Sequence, residues 1–180
     1  GCSEAVAPVE PPVTEPDAHR RRPMAVLHDH LDGGLRVGTV IELADAIGHR
    51  LPTDDPEALA AWFHQGASGS LERYLEAFVH TVGVMQTAEA VERVAYESVE
   101  DHAADGVVYA ELRFDPGLCT AGGLDRHDVV EAALAGMQRA TEVTGLQAYL
   151  IITALRHRQD SDLAAQAAVP VIPVAIRGTR

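Results

Sequence analysis

Two histidines and an aspartate, His28, His30 and Asp32, alternate with other residues near the start of the sequence. They end an apolar run at residues 24–27 that is typical of a β-strand, and glycines 33–34 come next. Two neutral imidazoles that share one face of a strand can bind one metal ion, and zinc fits them best. The spacing also allows a simpler interpretation, in which one histidine ends a strand and the other lies near a turn without a ligand.

The strand pattern also predicts which side chains accompany these histidines. Successive side chains of a strand point to opposite faces, so positions two apart share a face. We therefore expect His28, His30 and Asp32 to point the same way as Met24 and Val26. In that arrangement Asp32 lies just beyond the two imidazoles, at the rim of the site.

Polar residues also end the two later strand patterns. Residues 107–114 form the second strand pattern, and the charged residues Glu111 and Arg113 lie near its end. The third apolar run, residues 148–155, is followed by Arg156 and His157. In a parallel sheet these ends lie at one edge, where (β/α) barrels place their active sites. We interpret Glu111 and Arg113 as a structural ion pair, and Arg156 and His157 as structural too.

Helical patterns separate the strand patterns, and strands that alternate with helices predict a parallel sheet of the α/β class. Trp62 and Phe63 are interpreted as residues that pack a helix. Capping residues are expected at Gly48, Ser70, Thr87 and Asp125. The predicted strands cover residues 24–30, 107–114 and 148–155, and the predicted helices cover 37–47, 56–65, 71–82, 88–104, 126–144 and 161–169. Three strands are fewer than the eight of a complete barrel, so we expect a truncated (β/α)8 barrel.

The chain divides into three regions by composition. Residues 1–22 carry four of the ten prolines and no aromatic residue, which predicts a disordered N-terminal arm. Residues 23–169 hold the strand and helix patterns. In residues 170–180, Pro170 and Pro173 interrupt the helical pattern, so this segment is expected to be a divergent tail.

Charge and cysteine content limit the partners and the compartment. The formal net charge is −13 at pH 7, which argues against a nucleic acid or an anionic membrane surface as partner. No apolar stretch approaches the roughly 18 residues that span a bilayer. The two cysteines, Cys2 and Cys119, form no Cys-x-x-Cys pair, so no thiolate zinc site is expected. A reduced, cytoplasmic protein is the expected class.

Several segments resemble the adenosine deaminases, in particular those of actinobacteria. The resemblance extends over about residues 23–169 and is carried by residues 27–36, 68–75, 92–97, 105–114 and 154–157. It implies a zinc-dependent (β/α)8 barrel that hydrolyses adenosine or deoxyadenosine to inosine or deoxyinosine and ammonia, a reaction of purine salvage. The implied partner is therefore a small nucleoside.

The resemblance also implies roles for individual residues. His28 and His30 would be zinc ligands, His30 would also touch the substrate, and Asp32 would bind the ribose end of the nucleoside. Zinc would activate a water molecule for attack on C6 of the purine, and a carboxylic acid would protonate the ring.

Other residues that the family uses have no counterpart in the sequence. These are the third zinc histidine, the proton-transferring glutamate, the histidine that positions the attacking water and two late aspartates. We therefore assign no catalytic residue, and we expect weak zinc binding and negligible activity from this chain by itself. A truncated or frame-shifted reading of a longer gene is the hypothesis that follows.

Two alternatives stay open. A related deaminase would act on adenine or on a 5′-modified adenosine, although Asp32 favours a nucleoside with a free 5′-hydroxyl. In a different class, the chain would be a non-catalytic remnant or an interaction module that keeps half of the fold.

Overall fold

The computed structural model describes residues 23–64 and 71–154. Several features predicted from the sequence lie outside these ranges: the arm at 1–22, the Ser70 cap, Arg156 and His157, the helix at 161–169 and the tail at 170–180. In the described ranges, no helix combines the length and the apolar character that crossing a membrane requires.

Three parallel strands form one sheet. They are β1 (Met24–His30), β2 (Val107–Phe114) and β3 (Gln147–Ile152), and they lie side by side in the order of the chain. Parallel neighbours in sequence order are the arrangement that begins a (β/α) barrel, so the predicted fold class is confirmed. The strand expected at residues 148–155 ends earlier, at Ile152.

In the part of the chain that the structure describes, five α-helices and one 3-10 helix connect and cover the strands. They are α1 (Val37–Ile47), α2 (Pro56–Phe63), α3 (Leu71–Val84), α4 (Ala88–Ala104), the 3-10 helix (Pro116–Cys119) and α5 (Arg126–Thr144). Thr87 caps α4 as predicted, since its side chain accepts a hydrogen bond from the backbone N–H of Ala90. Gly48 ends α1 in the left-handed conformation, with a φ of 69°.

The main core lies between the sheet and the helices α4 and α5. Its members are buried apolar side chains from β2, α4 and α5, including Ala110, Leu112, Phe114, Val91, Val94, Val99, Val129, Ala133 and Met137. Helix α5 packs closely on α4 at Gly136, where a Cβ atom would collide with the backbone carbonyl of Glu92. This contact requires glycine on the α5 side.

Val108 departs from the predicted alternation of β2. The even-numbered positions of residues 107–114 are all apolar, so the pattern places Val108 on one apolar face with them. In the structure, however, 52% of the Val108 surface is exposed. The pairing of β1 with β2 passes from Val107 directly to Tyr109, so Val108 lies in an irregularity of the ladder. A residue skipped in this way leaves the regular alternation of faces.

Helices α1 to α3 follow β1 and pack beside its carboxyl end. Phe78 of α3 lies against Gly33, with its ring 6.5 Å from the ring of His30. The Trp62 and Phe63 rings of α2 are half-buried and lie 5.3 Å apart, as expected for residues that pack a helix. These helices therefore form a wall next to the end of the first strand.

Candidate metal centre

A bulge in β1 decides which side chains face the candidate site. Val26 and Asp29 stand opposite β2 residues that are only two positions apart, so β1 carries one extra residue between them. Val26 packs against the helix-covered core and Asp29 points to the same side. The expectation that Val26 shares the face of His28 and His30 was therefore wrong, because the bulge reverses the alternation.

His28, which lies within the bulged segment, and His30, which follows it, are on the same face. Their ring centroids are 5.4 Å apart and their ring planes meet at 40°. Half of the His30 side chain is exposed. The two imidazoles are thus neighbours on an accessible surface at the carboxyl end of β1, as the spacing predicts.

Asp32 lies in the turn that follows β1 and is buried, with 6% of its surface exposed. Its Oδ1 atom is 3.6 Å from Nδ1 of His30, which leaves Nε2 of that ring as the nitrogen to bind a ligand. Oδ1 is buried and accepts no hydrogen bond within the described part of the chain. Burial raises the pKa of Asp32, while a backbone hydrogen bond and His30 act in the opposite direction. A buried acceptor of this kind fits a donor group on a ligand.

Arg113 is the partner of His30 across the sheet. Its Nη2 atom donates a hydrogen bond of 2.9 Å to the carbonyl of Leu27, while Glu111 accepts one of 2.8 Å from the Tyr109 hydroxyl. The predicted ion pair between Glu111 and Arg113 was therefore wrong. Side chains two positions apart on a strand start about 6.6 Å apart, and each has a nearer partner.

Two contacts that the sequence reasoning missed tie this end of β1 to α4. Asp29 lies near His102, and Arg36 binds Asp101 with both Nε and Nη2, at distances of 2.6 to 3.0 Å. A further bond of 2.7 Å joins Arg36 to Glu100, and these carboxylates raise the pKa of Arg36. The turn after the two histidines is therefore anchored on the helix side of the sheet.

Cys119 is completely buried close to Asp32 and Asp115. Burial, together with the negative charges of these carboxylates, raises the pKa of the Cys119 thiol to about 12. The group therefore stays a neutral thiol near pH 7.

The residues present fit a zinc ion but do not complete its coordination. Zinc sites take three or four protein ligands, and His28 and His30 supply two imidazoles on one face. Within residues 23–64 and 71–154, a group of three possible ligands occurs only at the start of α5, formed by Asp125, His127 and Asp128. In that part of the chain, no third ligand atom joins the His28 and His30 pair.

Comparison with known proteins relates this chain to one protein family. The sequence profile of the family described as "Adenosine deaminase" matches residues 23–175. An adenosine deaminase of Mycobacteroides abscessus is 54% identical over 154 residues, which are 82% of this chain and 42% of that protein.

Two solved structures are similar in fold and sequence. The crystal structure of an adenine deaminase from Arthrobacter aurescens superposes with a TM-score of 0.70 and 26% identity, over 84% of this chain and 45% of that one. An amidohydrolase of B. ambifaria with bound Zn gives 0.72 and 25%, over 88% and 44%.

The matched range contains both histidines, Asp32 and all three strands. The chain spans less than half the length of the curated relatives that it matches. Within that span, the family profile covers most of the chain and the strand order agrees with a barrel. The chain belongs to the adenosine deaminase family.

Proposed function

We propose that this chain is part of a zinc-dependent, cytoplasmic deaminase that hydrolyses adenosine or deoxyadenosine to inosine or deoxyinosine and ammonia, in purine salvage. The observation that carries the proposal is the pairing of the His28 and His30 rings on one sheet face, with the buried Asp32 carboxylate beside them. The 54% identity to an adenosine deaminase supports the same reaction. A small nucleoside is the proposed substrate, with no nucleic acid or membrane as partner.

His28 and His30 would hold the zinc, with Nε2 as the ligating atom of His30 because its Nδ1 faces Asp32. A carboxylate behind a metal-bound histidine fixes the orientation of the ring. When bound, zinc lowers the pKa of a water molecule and so supplies a nucleophile near neutral pH.

Asp32 would also bind substrate. Its buried Oδ1 atom is an acceptor close to the His30 ring, so it suits a hydroxyl donor at the ribose end of a nucleoside. The proposal assigns no general acid to these residues. A chain with two imidazoles and no acid for the purine ring is expected to bind zinc weakly and to lack measurable activity by itself.

Zinc affinity and deamination test this proposal together. Zinc binding is measured by competition with a chromophoric chelator, and deamination by the change in ultraviolet absorbance when adenosine loses its 6-amino group. We expect His28→Gln and His30→Gln each to weaken zinc binding by about tenfold or more, and the matched control His64→Gln, at an exposed histidine, to leave it unchanged.

Activity is measured for the chain with and without the carboxyl-terminal part of the Mycobacteroides abscessus relative. Deamination is expected only when that part is added. Full activity of the chain by itself, or a zinc affinity that neither substitution changes, would contradict the proposal.

An adenine deaminase is the second candidate, because one such enzyme has a similar fold at 26% identity. The complemented protein should be compared on adenine, adenosine and a 5′-modified adenosine. Preference for adenine, with no effect of Asp32→Asn, would favour this candidate over a nucleoside deaminase. A non-catalytic module is favoured instead if the chain is a defined oligomer with cooperative unfolding and is not complemented.

A further inference from the structure

Two histidines outside the candidate zinc centre meet between α1 and α3. His49 follows the glycine that ends α1, and His80 lies in α3. Their Nε2 and Nδ1 atoms are 3.0 Å apart, with the ring planes at 76° and the ring centroids 5.3 Å apart. Both side chains are partly buried. One ring must donate N–H to the bare nitrogen of the other.

This separation of nitrogens suits a shared metal ion. Two metal–imidazole bonds of about 2.1 Å place their nitrogens about 3.0 Å apart at a right angle and about 3.4 Å apart at the tetrahedral angle. The right angle belongs to tetragonal ions such as Cu²⁺ and Ni²⁺, for which imidazole is a preferred ligand. We propose that His49 and His80 form a second metal site, distinct from His28 and His30, which takes a divalent ion of this class and links α1 to α3.

The surroundings hold both imidazoles in place before any ion binds. The backbone of α3 approaches His49 so closely that a Cβ atom on Gly83 would lie 2.6 Å from Cε1 of that ring. On the other side, the Trp62 ring packs edge-to-face on His80, with centroids 5.2 Å apart. Rings that are held in this way lose little freedom when an ion binds.

The charge state of His80 favours a metal over a proton. Burial and the nearby charge of His49 both lower the pKa of His80. The neutral form is the one that ligates a metal, so His80 needs no deprotonation near pH 7.

An ion at this site would also affect helix α3 where it borders the candidate zinc centre. Helix α3 carries both His80 and Phe78, and Phe78 lies against Gly33 beside His30. A bond between α1 and α3 would therefore hold Phe78 in position next to the candidate zinc ligands. The proposed role is a structural link rather than a part in the chemistry.

Trp62 provides a local probe, since it is the single tryptophan of the chain. The full chain is titrated with NiCl₂ at neutral pH while tryptophan fluorescence is recorded. We expect Ni²⁺ to quench the fluorescence in a saturable way. His49→Gln and His80→Gln should each weaken the apparent affinity for Ni²⁺ by about tenfold or more, because one imidazole binds the ion no better than any exposed histidine does. The double variant His28→Gln/His30→Gln and the single variant His127→Gln serve as controls and should quench as the unsubstituted chain does.

A second measurement needs no substitution. Paramagnetic Ni²⁺ should broaden the imidazole NMR signals of His49 and His80 at lower concentrations than those of the exposed His64. Quenching that persists in both glutamine variants, or that disappears in the His28/His30 variant, would overturn the proposal. Broadening of His64 before His49 and His80 would overturn it as well, even if the glutamine variants failed to fold.

Discussion

Asp29 stands between the two candidate zinc ligands in the sequence, yet its carboxylate lies on the opposite side of the sheet, with Oδ2 3.5 Å from Nε2 of His102 in α4. The other ring nitrogen of His102, Nδ1, donates a hydrogen bond of 2.7 Å to the carbonyl of Ser98. The strand segment that carries His28 and His30 is therefore attached to α4 by the residue between them. Since Nδ1 donates to Ser98, Nε2 attracts the Asp29 carboxylate when His102 is protonated, and the contact then steadies the bulged end of β1.

Breaking the contact between Asp29 and His102 should have a small effect on stability and a small effect on zinc affinity. When His102 is protonated, we expect Asp29→Asn and His102→Gln each to lower the free energy of unfolding by about 0.3–1 kcal/mol, because the pair is partly exposed. Zinc affinity should fall by less than about tenfold, in contrast to the substitutions of His28 and His30. Urea unfolding and chelator competition measure the two effects. The control is Asp45→Asn on the exposed side of α1. An equal loss of zinc affinity in that variant would show that Asp29 has no particular role in positioning the zinc ligands.

Two helical glycines should respond in opposite ways to alanine. Gly136→Ala is expected to destabilise the protein by about 1–3 kcal/mol, because the new methyl group collides with the carbonyl of Glu92 in α4. Gly38→Ala in α1 meets nothing within 4 Å and should be neutral or stabilising by up to about 1 kcal/mol. Chemical unfolding of both variants makes the comparison, and equal effects would show that α4 and α5 are not packed this closely.

Acid should destabilise the contact between α1 and α3. The folded pKa of His80 lies below its ordinary value of 6.5, so just below that pH the unfolded chain binds more protons than the folded one. The contribution of His80 to stability is therefore complete above about pH 6.5 and decreases as the pH falls. In urea unfolding between about pH 7.5 and 5.5, His80→Gln should show a flatter loss of stability than the unsubstituted chain. An unchanged pH dependence would contradict this assignment.

The Cys119 thiol should be unreactive in the folded protein. With its pKa raised to about 12, it carries almost no thiolate near pH 8, and its side chain is completely buried. In a Cys2→Ser variant, which has Cys119 as its only thiol, reaction with Ellman's reagent should be slower than in denaturant by a factor on the order of a hundred or more. Rapid labelling under native conditions would show that Cys119 is accessible.

Much of the fold follows from local patterns in the sequence. The apolar periodicity predicts the three strands and the helices, and Thr87, Gly48 and Asp125 mark helix ends as they should. The proximity of the His28 and His30 rings agrees with their two-residue spacing, which places side chains on one face wherever no bulge interrupts the alternation between them. The candidate metal ligands could therefore be found without coordinates.

The tertiary structure decided which other side chains surround the candidate metal ligands His28 and His30. The bulge in β1 turned Val26 and Asp29 to the helix side, and each of Glu111 and Arg113 took a partner other than its predicted one. The contact of His49 with His80 likewise joins residues 31 positions apart. Such contacts depend on strand register and on how helices pack across the chain, and a local pattern of apolar and polar residues does not specify either one.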